Sequence, residues 1–281
     1  MSSSATSMHS HDNIFLPKPA RIVRTDQPTE LEKHFTLRLA GESDMEFAPG
    51  QIMEVSLFGY GEIPIGFASS PTRKKSFDIV VRSVGRVSKA INRLNVGDTL
   101  YVRGPLGHGF DLEQLRGRDV LIIAGGIGLC PTRSLIQYIL DCRSEFKRFI
   151  LFYGARDPKQ QLFLEDLARW RVSKDVEYYE TVDSGDPTWK GNVGVITTLF
   201  PKVKLDADTR AVICGPPVMF KFVCGKLSKM GVPMHRMFVS LERRMHCGMG
   251  KCFRCNVGST YTCVDGPVFD YWTVMNLKEA I

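Results

Sequence analysis

Between residues 17 and 107 the chain alternates apolar and polar positions in short runs. The clearest are Phe35-Thr-Leu-Arg-Leu, Gln51-Ile-Met-Glu-Val-Ser-Leu-Phe, Phe77-Asp-Ile-Val-Val-Arg and Thr99-Leu-Tyr-Val-Arg. A period of two sends successive side chains to opposite faces of a strand, and glycine, proline or asparagine punctuates the gaps. The pattern predicts an antiparallel β-barrel. Beyond the charged link Glu113-Gln-Leu-Arg-Gly-Arg-Asp119 the pattern changes. Strand-like runs Val120-Leu-Ile-Ile-Ala, Phe149-Ile-Leu-Phe-Tyr, Val176-Glu-Tyr-Tyr-Glu and Ala211-Val-Ile-Cys now alternate with helical stretches such as Thr132–Cys142 and Gln161–Trp170. That alternation predicts βαβ units and a parallel sheet. Met237-Phe-Val-Ser-Leu reads as its last strand. The expected units are a disordered tail at 1–13, a barrel at 14–112, an α/β domain at 113–240 and a small C-terminal segment at 241–281.

Composition narrows the function classes. A chain of 281 residues suits two domains, and its 43% apolar share supplies an ordinary core. The Ser-rich start, with His9 and His11, reads as the disordered tail. It has neither the basic start nor the apolar core of a secretory signal, and no run approaches the length of a membrane helix; a cytoplasmic protein without membrane insertion is expected. The formal net charge of +7 comes without a Lys/Arg-rich run or an aromatic-interleaved basic patch, so nucleic acid is not the expected partner. A basic face for an acidic electron-transfer partner or for phosphate-bearing cofactors fits, as does a plain excess of solvated lysines.

The most specific chemistry lies in Cys247-Gly-Met-Gly-Lys-Cys252-Phe-Arg-Cys255, followed by Cys263. This C-x4-C-x2-C-x7-C spacing is close to that of plant-type ferredoxins, in which four thiolates hold a [2Fe–2S] cluster. Gly248 and Gly250 allow the backbone to bend closely around inorganic sulfide. Structural zinc is the competing reading, although a four-cysteine zinc site usually shows two C-x2-C knuckles and this segment has one. His246 invites a Rieske-type reading, but four cysteines already complete the ligand set.

Two glycine turns follow strand-like runs and precede helices. Ala124-Gly125-Gly126-Ile127-Gly128-Leu129-Cys130-Pro131 would bring a diphosphate to a helix N-terminus, although a tight strand–helix turn needs glycine in any case. Cys214-Gly215-Pro216-Pro217-Val218-Met219 would lie at another strand's carboxyl end, flanking the same crevice; its prolines equally suit a helix's first turn. Gly85-Arg86-Val87-Ser88 either binds a phosphate or is simply capped by its serine. Phe67-Ala68-Ser69-Ser70-Pro71 is a hydroxyl-rich turn suited to a cofactor contact and, taken singly, only a loop.

In this order the motifs resemble the ferredoxin–NADP reductase superfamily, a flavin-binding barrel followed by a nicotinamide-nucleotide domain. With the cysteine segment the chain is similar to a narrower group of electron-transfer subunits. These are the gamma subunits of NiFe hydrogenases and sulfhydrogenases, and the corresponding subunits of anaerobic sulfite reductase and dihydroorotate dehydrogenase. The resemblance spans about residues 14–275. It is carried by Tyr153-Gly-Ala-Arg156, Trp189-Lys-Gly-Asn-Val-Gly194, Cys214-Gly-Pro-Pro-Val-Met219, Ser240-Leu-Glu-Arg-Arg-Met-His-Cys247 and Tyr261-Thr-Cys263-Val-Asp-Gly-Pro267. The x7 gap before Cys263 is shorter than in most dihydroorotate subunits and favours the hydrogenase and sulfite reductase kinds.

The resemblance implies that Phe67, Ala68, Ser69 and Ser70 lie against the flavin's isoalloxazine and ribityl chain. Gly85, Arg86, Val87 and Ser88 would hold the FAD pyrophosphate. Gly125, Gly126 and Gly128 would serve NAD(P)H, and Cys214, Gly215, Pro216 and Met219 would line the crevice near its nicotinamide. One departure stands out. The family's R-x-Y-[ST] flavin turn is replaced by Ile63-Pro-Ile-Gly-Phe-Ala-Ser, so that Arg82 or Arg86 is expected to compensate. Arg156 and Lys159 would meet a 2′-phosphate or remain solvated, which inclines the expectation slightly to NADPH.

A nicotinamide gives two electrons as hydride, a [2Fe–2S] cluster takes one, and a flavin converts between them. No side chain need act as acid or base, and no classical catalytic residue is expected. Cys130 and Cys214 border the nicotinamide region or are merely buried. Arg243, Arg244, Lys251 and Arg254 either raise the potential of an anionic cluster or dock an acidic partner. The expected role is a diaphorase-like subunit in a hetero-oligomer whose partners carry iron–sulfur clusters. A cytoplasmic NiFe hydrogenase is the first expectation, and anaerobic sulfite reductase the second. A zinc-stapled nucleotide-binding module is the reading from a different class.

Overall fold

The computed structural model describes residues 13–41 and 44–277. The tail expected at 1–13 therefore lies outside the described residues except for Asn13. The barrel consists of β1 (Lys18–Asp26), β2 (Glu32–Leu39), β3 (Ile52–Leu57), β4 (Gly61–Gly66), β5 (Phe77–Arg82) and β6 (Thr99–Leu106), with helix α1 (Arg86–Ile91) between the last two. The strands are hydrogen-bonded in the order β4-β3-β6-β1-β2-β5, and every pair is antiparallel. The inward positions, among them Ile22, Phe35, Leu37, Met53, Val55, Ile79 and Val102, form one apolar core, as the alternation requires. Two strands escape the alternation pattern. The β1 run is interrupted by Arg21, Arg24 and Pro19, while β4 carries Pro64 and two glycines and sits at the edge of the hydrogen-bonded order, where proline is tolerated.

After the one-turn helix α2 (Leu112–Leu115), the second half is built on β7 (Val120–Gly125), β8 (Phe149–Ala155), β9 (Glu177–Val182), β10 (Asn192–Val193), β11 (Arg210–Cys214) and β12 (Met237–Ser240). Helices α3 (Leu129–Asp141), α4 (Leu164–Val172) and α5 (Pro217–Lys229) cross between strands. All six residues of β7 are buried, as expected for a parallel strand covered on both faces. One apolar cluster lies on each face of the sheet, and Ala68, Val80 and Phe110 of the barrel half join one of them. The two halves thus share a continuous core.

Beyond Met237–Ser240, read from the sequence as the last strand, the C-terminal segment adds one more strand to the sheet. After the short hairpin β13 (Asn256–Val257) and β14 (Thr260–Tyr261), the chain returns as β15 (Val268–Asp270) and α6 (Tyr271–Met275). Strand β15 pairs antiparallel with β12 and becomes the seventh strand of the sheet, in the order β10-β9-β8-β7-β11-β12-β15. The reason is apolar: Phe269, Tyr271 and Val274 are buried in the sheet's second cluster, and a three-residue run is too short for its alternation to be recognised in sequence.

Candidate functional site

The sheet order places a crevice at its centre. The chain runs outward from β7 through β8 and β9, then returns to lay β11 against the other side of β7. Ligands in such sheets bind outside the carboxyl ends of the strands at this reversal. Both glycine turns singled out in the sequence meet there. A Cβ on Gly128 would collide with the carbonyl of Cys214, and one on Gly125 would come within 2.7 Å of Met219 Sδ, so these close approaches require glycine. Gly126, at φ +54, has nothing within 4 Å of where its Cβ would be, which leaves open room at the backbone. The crevice encloses about 700 Å³ and is lined by Gly125, Gly126, Gly128, Gly215, Pro216 and Met219, with Arg156 from the end of β8. Arg82 also lines it, paired with buried Glu32 at 3.0 Å. Asp183 lines the same wall, and Lys159 borders a contiguous hollow of about 500 Å³. Cys130 and Cys214 are buried beneath the turns, and burial pushes both thiols up, Cys214 to about 12. Neither is a nucleophile at neutral pH.

The expected flavin contacts come out differently. Phe67, Ala68, Ser69 and Ser70 are at most 2% exposed and form the joint between the two halves. Phe67 stacks on Phe47 at 3.8 Å, and the Ala68 carbonyl accepts from Arg133 at 2.6 Å. Ser69 Oγ accepts from the Asp78 N–H, and the Ser70 N–H donates to Gln137 Oε1. Expected to face the isoalloxazine, these four residues direct their hydrogen bonds into the protein. The half-exposed strand just before them, Ile63–Gly66, is the accessible surface, although it lacks the family's arginine and tyrosine and so carries no sequence signal for a flavin. Gly66 ends this strand against Pro131 of α3, where a Cβ would stand 3.1 Å from the ring.

Gly85 and Arg86 are exposed at the start of α1 and Val87 is half-buried, whereas the Ser88 hydroxyl is consumed locally. It accepts from the N–H groups of Val84 and Gly85 and donates to the Gly85 carbonyl. Arg86 reaches over the β3–β4 turn, donating to the Gly59 carbonyl at 3.1 Å and standing over the Tyr60 ring. The two arginines expected to compensate for the missing one are thus separated, Arg86 beside α1 and Arg82 in the nucleotide crevice.

The cysteine loop docks on the barrel, while Val257 between Cys255 and Cys263 joins the second apolar cluster of the sheet. Cys255 and Cys263 are buried with Met245 against Ile52, Leu106 and Tyr261; Cys247 is half-buried and Cys252 exposed. Gly248 and Gly250 both take φ +73, and a Cβ on Gly248 would come within 2.7 Å of Leu106, which seats the loop on β6 without clearance. Amide groups converge on sulfur: Met249, Lys251 and Cys252 donate to Cys247 Sγ at 3.3–3.4 Å, and Gly250 donates to Cys263 Sγ at 3.1 Å. Burial raises the Cys247 thiol, but these donors outweigh it and pull the group down to about 7. The Cys247 thiol neighbours that of Cys252, and the Cys263 thiol neighbours those of Cys255 and Cys247. Among the described residues no three metal-ligating side chains gather at one point. Four thiols in the order C-x4-C-x2-C-x7-C suit a [2Fe–2S] cluster, whereas a four-cysteine zinc site usually shows two C-x2-C knuckles. His246 is exposed.

The loop is tied down by a residue that no sequence motif marks. Arg103 of β6 donates to the carbonyls of Cys247 at 2.6 Å and His246 at 2.8 Å, and pairs with Glu62 of β4 at 2.6 Å. It stands 144 positions from Cys247, beyond the reach of any local pattern.

Comparison with known proteins agrees with this layout. Residues 21–110 match the oxidoreductase FAD-binding domain, 122–225 the oxidoreductase NAD-binding domain, and 242–275 the iron–sulfur cluster binding domain of dihydroorotate dehydrogenase B. The chain is 36% identical to sulfhydrogenase 2 subunit gamma of Pyrococcus furiosus, over 96% of this chain and all of that protein. The chain belongs to the iron–sulfur-bearing electron-transfer subunits of the ferredoxin–NADP reductase superfamily. Its identity to sulfhydrogenase 1 subunit gamma of the same organism is 37%, covering 96% of each. The probable dihydroorotate dehydrogenase B electron transfer subunit, also from Pyrococcus furiosus, is 33% identical over 92% of this chain and 93% of that protein. Among solved structures, that of an NADH-dependent reduced ferredoxin–NADP oxidoreductase superposes with a TM-score of 0.73 at 26% identity, covering 91% of each chain. As a member of this family the protein is an NAD(P)H-linked flavin oxidoreductase subunit, with FAD, a nicotinamide nucleotide and an iron–sulfur cluster as its cofactors. No helix among the described residues is long and apolar enough to cross a membrane.

Proposed function

We propose that this chain is the NAD(P)H-oxidising or NAD(P)-reducing subunit of a hydrogenase-type complex, exchanging electrons with a partner subunit's iron–sulfur relay. The observation that carries the reading is the docking of the cysteine loop against the barrel through Arg103 and Glu62, beside the accessible strand Ile63–Gly66. The cysteines thereby lie next to the barrel surface that suits a flavin rather than at the end of a loose tail. FAD, when bound, supplies the conversion between two-electron hydride chemistry and one-electron cluster chemistry. This chain's own residues hold and orient: Ile63–Gly66 and Gly85–Val87 toward the flavin, the turns at Gly125–Gly128 and Cys214–Met219 toward the nucleotide, and Cys247, Cys252, Cys255 and Cys263 toward a [2Fe–2S] centre. In this reading residues 14–112, 113–240 and 241–281 carry those three tasks in turn. A cytoplasmic sulfhydrogenase-like assembly is favoured over one of the anaerobic sulfite reductase kind by the identities to the sulfhydrogenase gamma subunits.

The test is made on purified protein. Iron with acid-labile sulfide and flavin absorption bands are expected; zinc without iron, and no flavin, would overturn the proposal. Cys252→Ser should leave bleaching of the flavin by NAD(P)H intact and abolish reduction of a protein acceptor. Loss of flavin bleaching in a folded variant would reverse the assigned order.

A further inference from the structure

Arg103 spends its whole guanidinium fork inside the protein. The side chain is 6% exposed, with Nε and Nη2 on the Glu62 carboxylate at 3.2 and 2.6 Å, Nη1 on the Cys247 carbonyl and Nη2 also on that of His246. An ion pair that only stabilised the barrel would need Glu62 alone. The two further bonds go to consecutive carbonyls of the cysteine loop, one belonging to a thiolate residue, and they cross from β6 to a segment 144 positions away. Glu54 lies opposite Arg103 across the β3–β6 pair, fully buried, and neither of its carboxyl oxygens has a hydrogen-bond partner. A Cβ on Gly248 would stand 3.2 Å from Arg103 Nη1 and 3.7 Å from Glu54 Cγ, so loop and network are in direct contact. Such a buried cation is costly unless it is paired and hydrogen-bonded, and here Glu62 takes two of its bonds and the loop carbonyls the other two.

We infer that Arg103 is the positioning residue of the cluster: it clamps the Cys247 end of the loop to strand β4 through Glu62 and holds a positive charge against that end. The inference rests on the iron–sulfur reading above. Groups that orient ligands and place charge beside a cluster govern its retention and its potential. The planar fork matters as well as the charge, so lysine replaces only the charge.

The experiment uses the full chain with Arg103→Met, Arg103→Lys and Glu62→Gln. In the cluster-free protein, amide hydrogen exchange across 246–249 is expected to quicken in all three. In the iron-loaded protein, Arg103→Met should move the cluster's midpoint potential to a more negative value and alter its electron paramagnetic resonance signal. Loss of iron to a chelator should become about 10-fold faster. Arg103→Lys should return the potential toward wild type while the exchange stays fast. If Arg103→Met does not fold, Arg103→Lys and Glu62→Gln decide the matter by the same spectrum and exchange. Iron-loaded variants with unchanged potential, signal and exchange overturn the inference alone, whereas an iron-free wild-type protein removes the reading on which it rests.

Discussion

Single residues govern how closely the parts of this molecule approach one another. Gly128 has an ordinary helical φ of −60, so its need is for space and not for backbone freedom. A methyl group there meets the Cys214 carbonyl and forces β7 and β11 apart at the nucleotide crevice. Gly128→Ala is therefore expected to cost about 1–3 kcal/mol by overpacking. It should also raise KM for NAD(P)H more than it lowers kcat. Thermal melting and steady-state kinetics check the two effects separately. Arg103 works in the opposite sense, drawing distant segments together by charge and fork geometry. Glycine motifs advertise themselves locally, whereas the arginine has meaning only through its partner 144 positions away.

At the scale of elements, β4 and β15 show where a pattern is too short or too unusual to be read. β4 contains Pro64 and ends in glycines at Gly61 and Gly66, yet its Glu62 holds Arg103 and through it the cysteine loop. β15 has three residues, but it covers the edge of β12 and carries Phe269 into the core, with Tyr271 and Val274 following in α6. Truncation after Pro267 keeps all four cysteines yet uncovers that edge and removes those three side chains. The shortened chain is expected to aggregate or melt much lower than the full chain, since an open hydrophobic edge recruits other strands. A tail that merely carried a cluster would leave the melting temperature unchanged. Differential scanning calorimetry distinguishes the two outcomes.

The whole molecule is held as one body by a buried polar joint between its halves. Arg133 of α3 bonds Asp166 at 2.6 Å, Asp78 of β5 at 3.0 Å and the Ala68 carbonyl, while its guanidinium lies over Phe163; His34 Nε2 stands 3.2 Å from Asp78. Burial alone would raise the Asp78 carboxyl, but His34, Arg133 and the Thr36 hydroxyl outweigh it and bring it down to about 2. A carboxyl depressed in the folded state contributes stability that is complete above its unfolded value near pH 4 and is lost as pH falls through 2. Between pH 5 and 2 the protein should lose roughly 2 kcal/mol through this group. Asp78→Asn should start less stable and lack that part of the acid dependence. Denaturant unfolding at a series of pH values measures it, and parallel profiles for the two proteins would count against the joint.

What the sequence determined by itself was the order of tasks along the chain. Alternation of period two identified a barrel, strand-like runs alternating with helical stretches identified a parallel sheet, and the cysteine spacing pointed to a cluster, because each signal lies within a short stretch of chain. Tertiary structure alone decided which surfaces meet. Phe67–Ser70 look like cofactor contacts in a linear reading, yet they are spent on Phe47, Asp78, Gln137 and Arg133 in the joint. The cysteine loop follows the nucleotide sheet in sequence and packs on the barrel in space, held by Arg103. Such choices depend on desolvating a charge or filling a core between segments that the sequence does not set side by side, up to 144 positions apart at Arg103 and Cys247, and a short-range pattern carries no record of them.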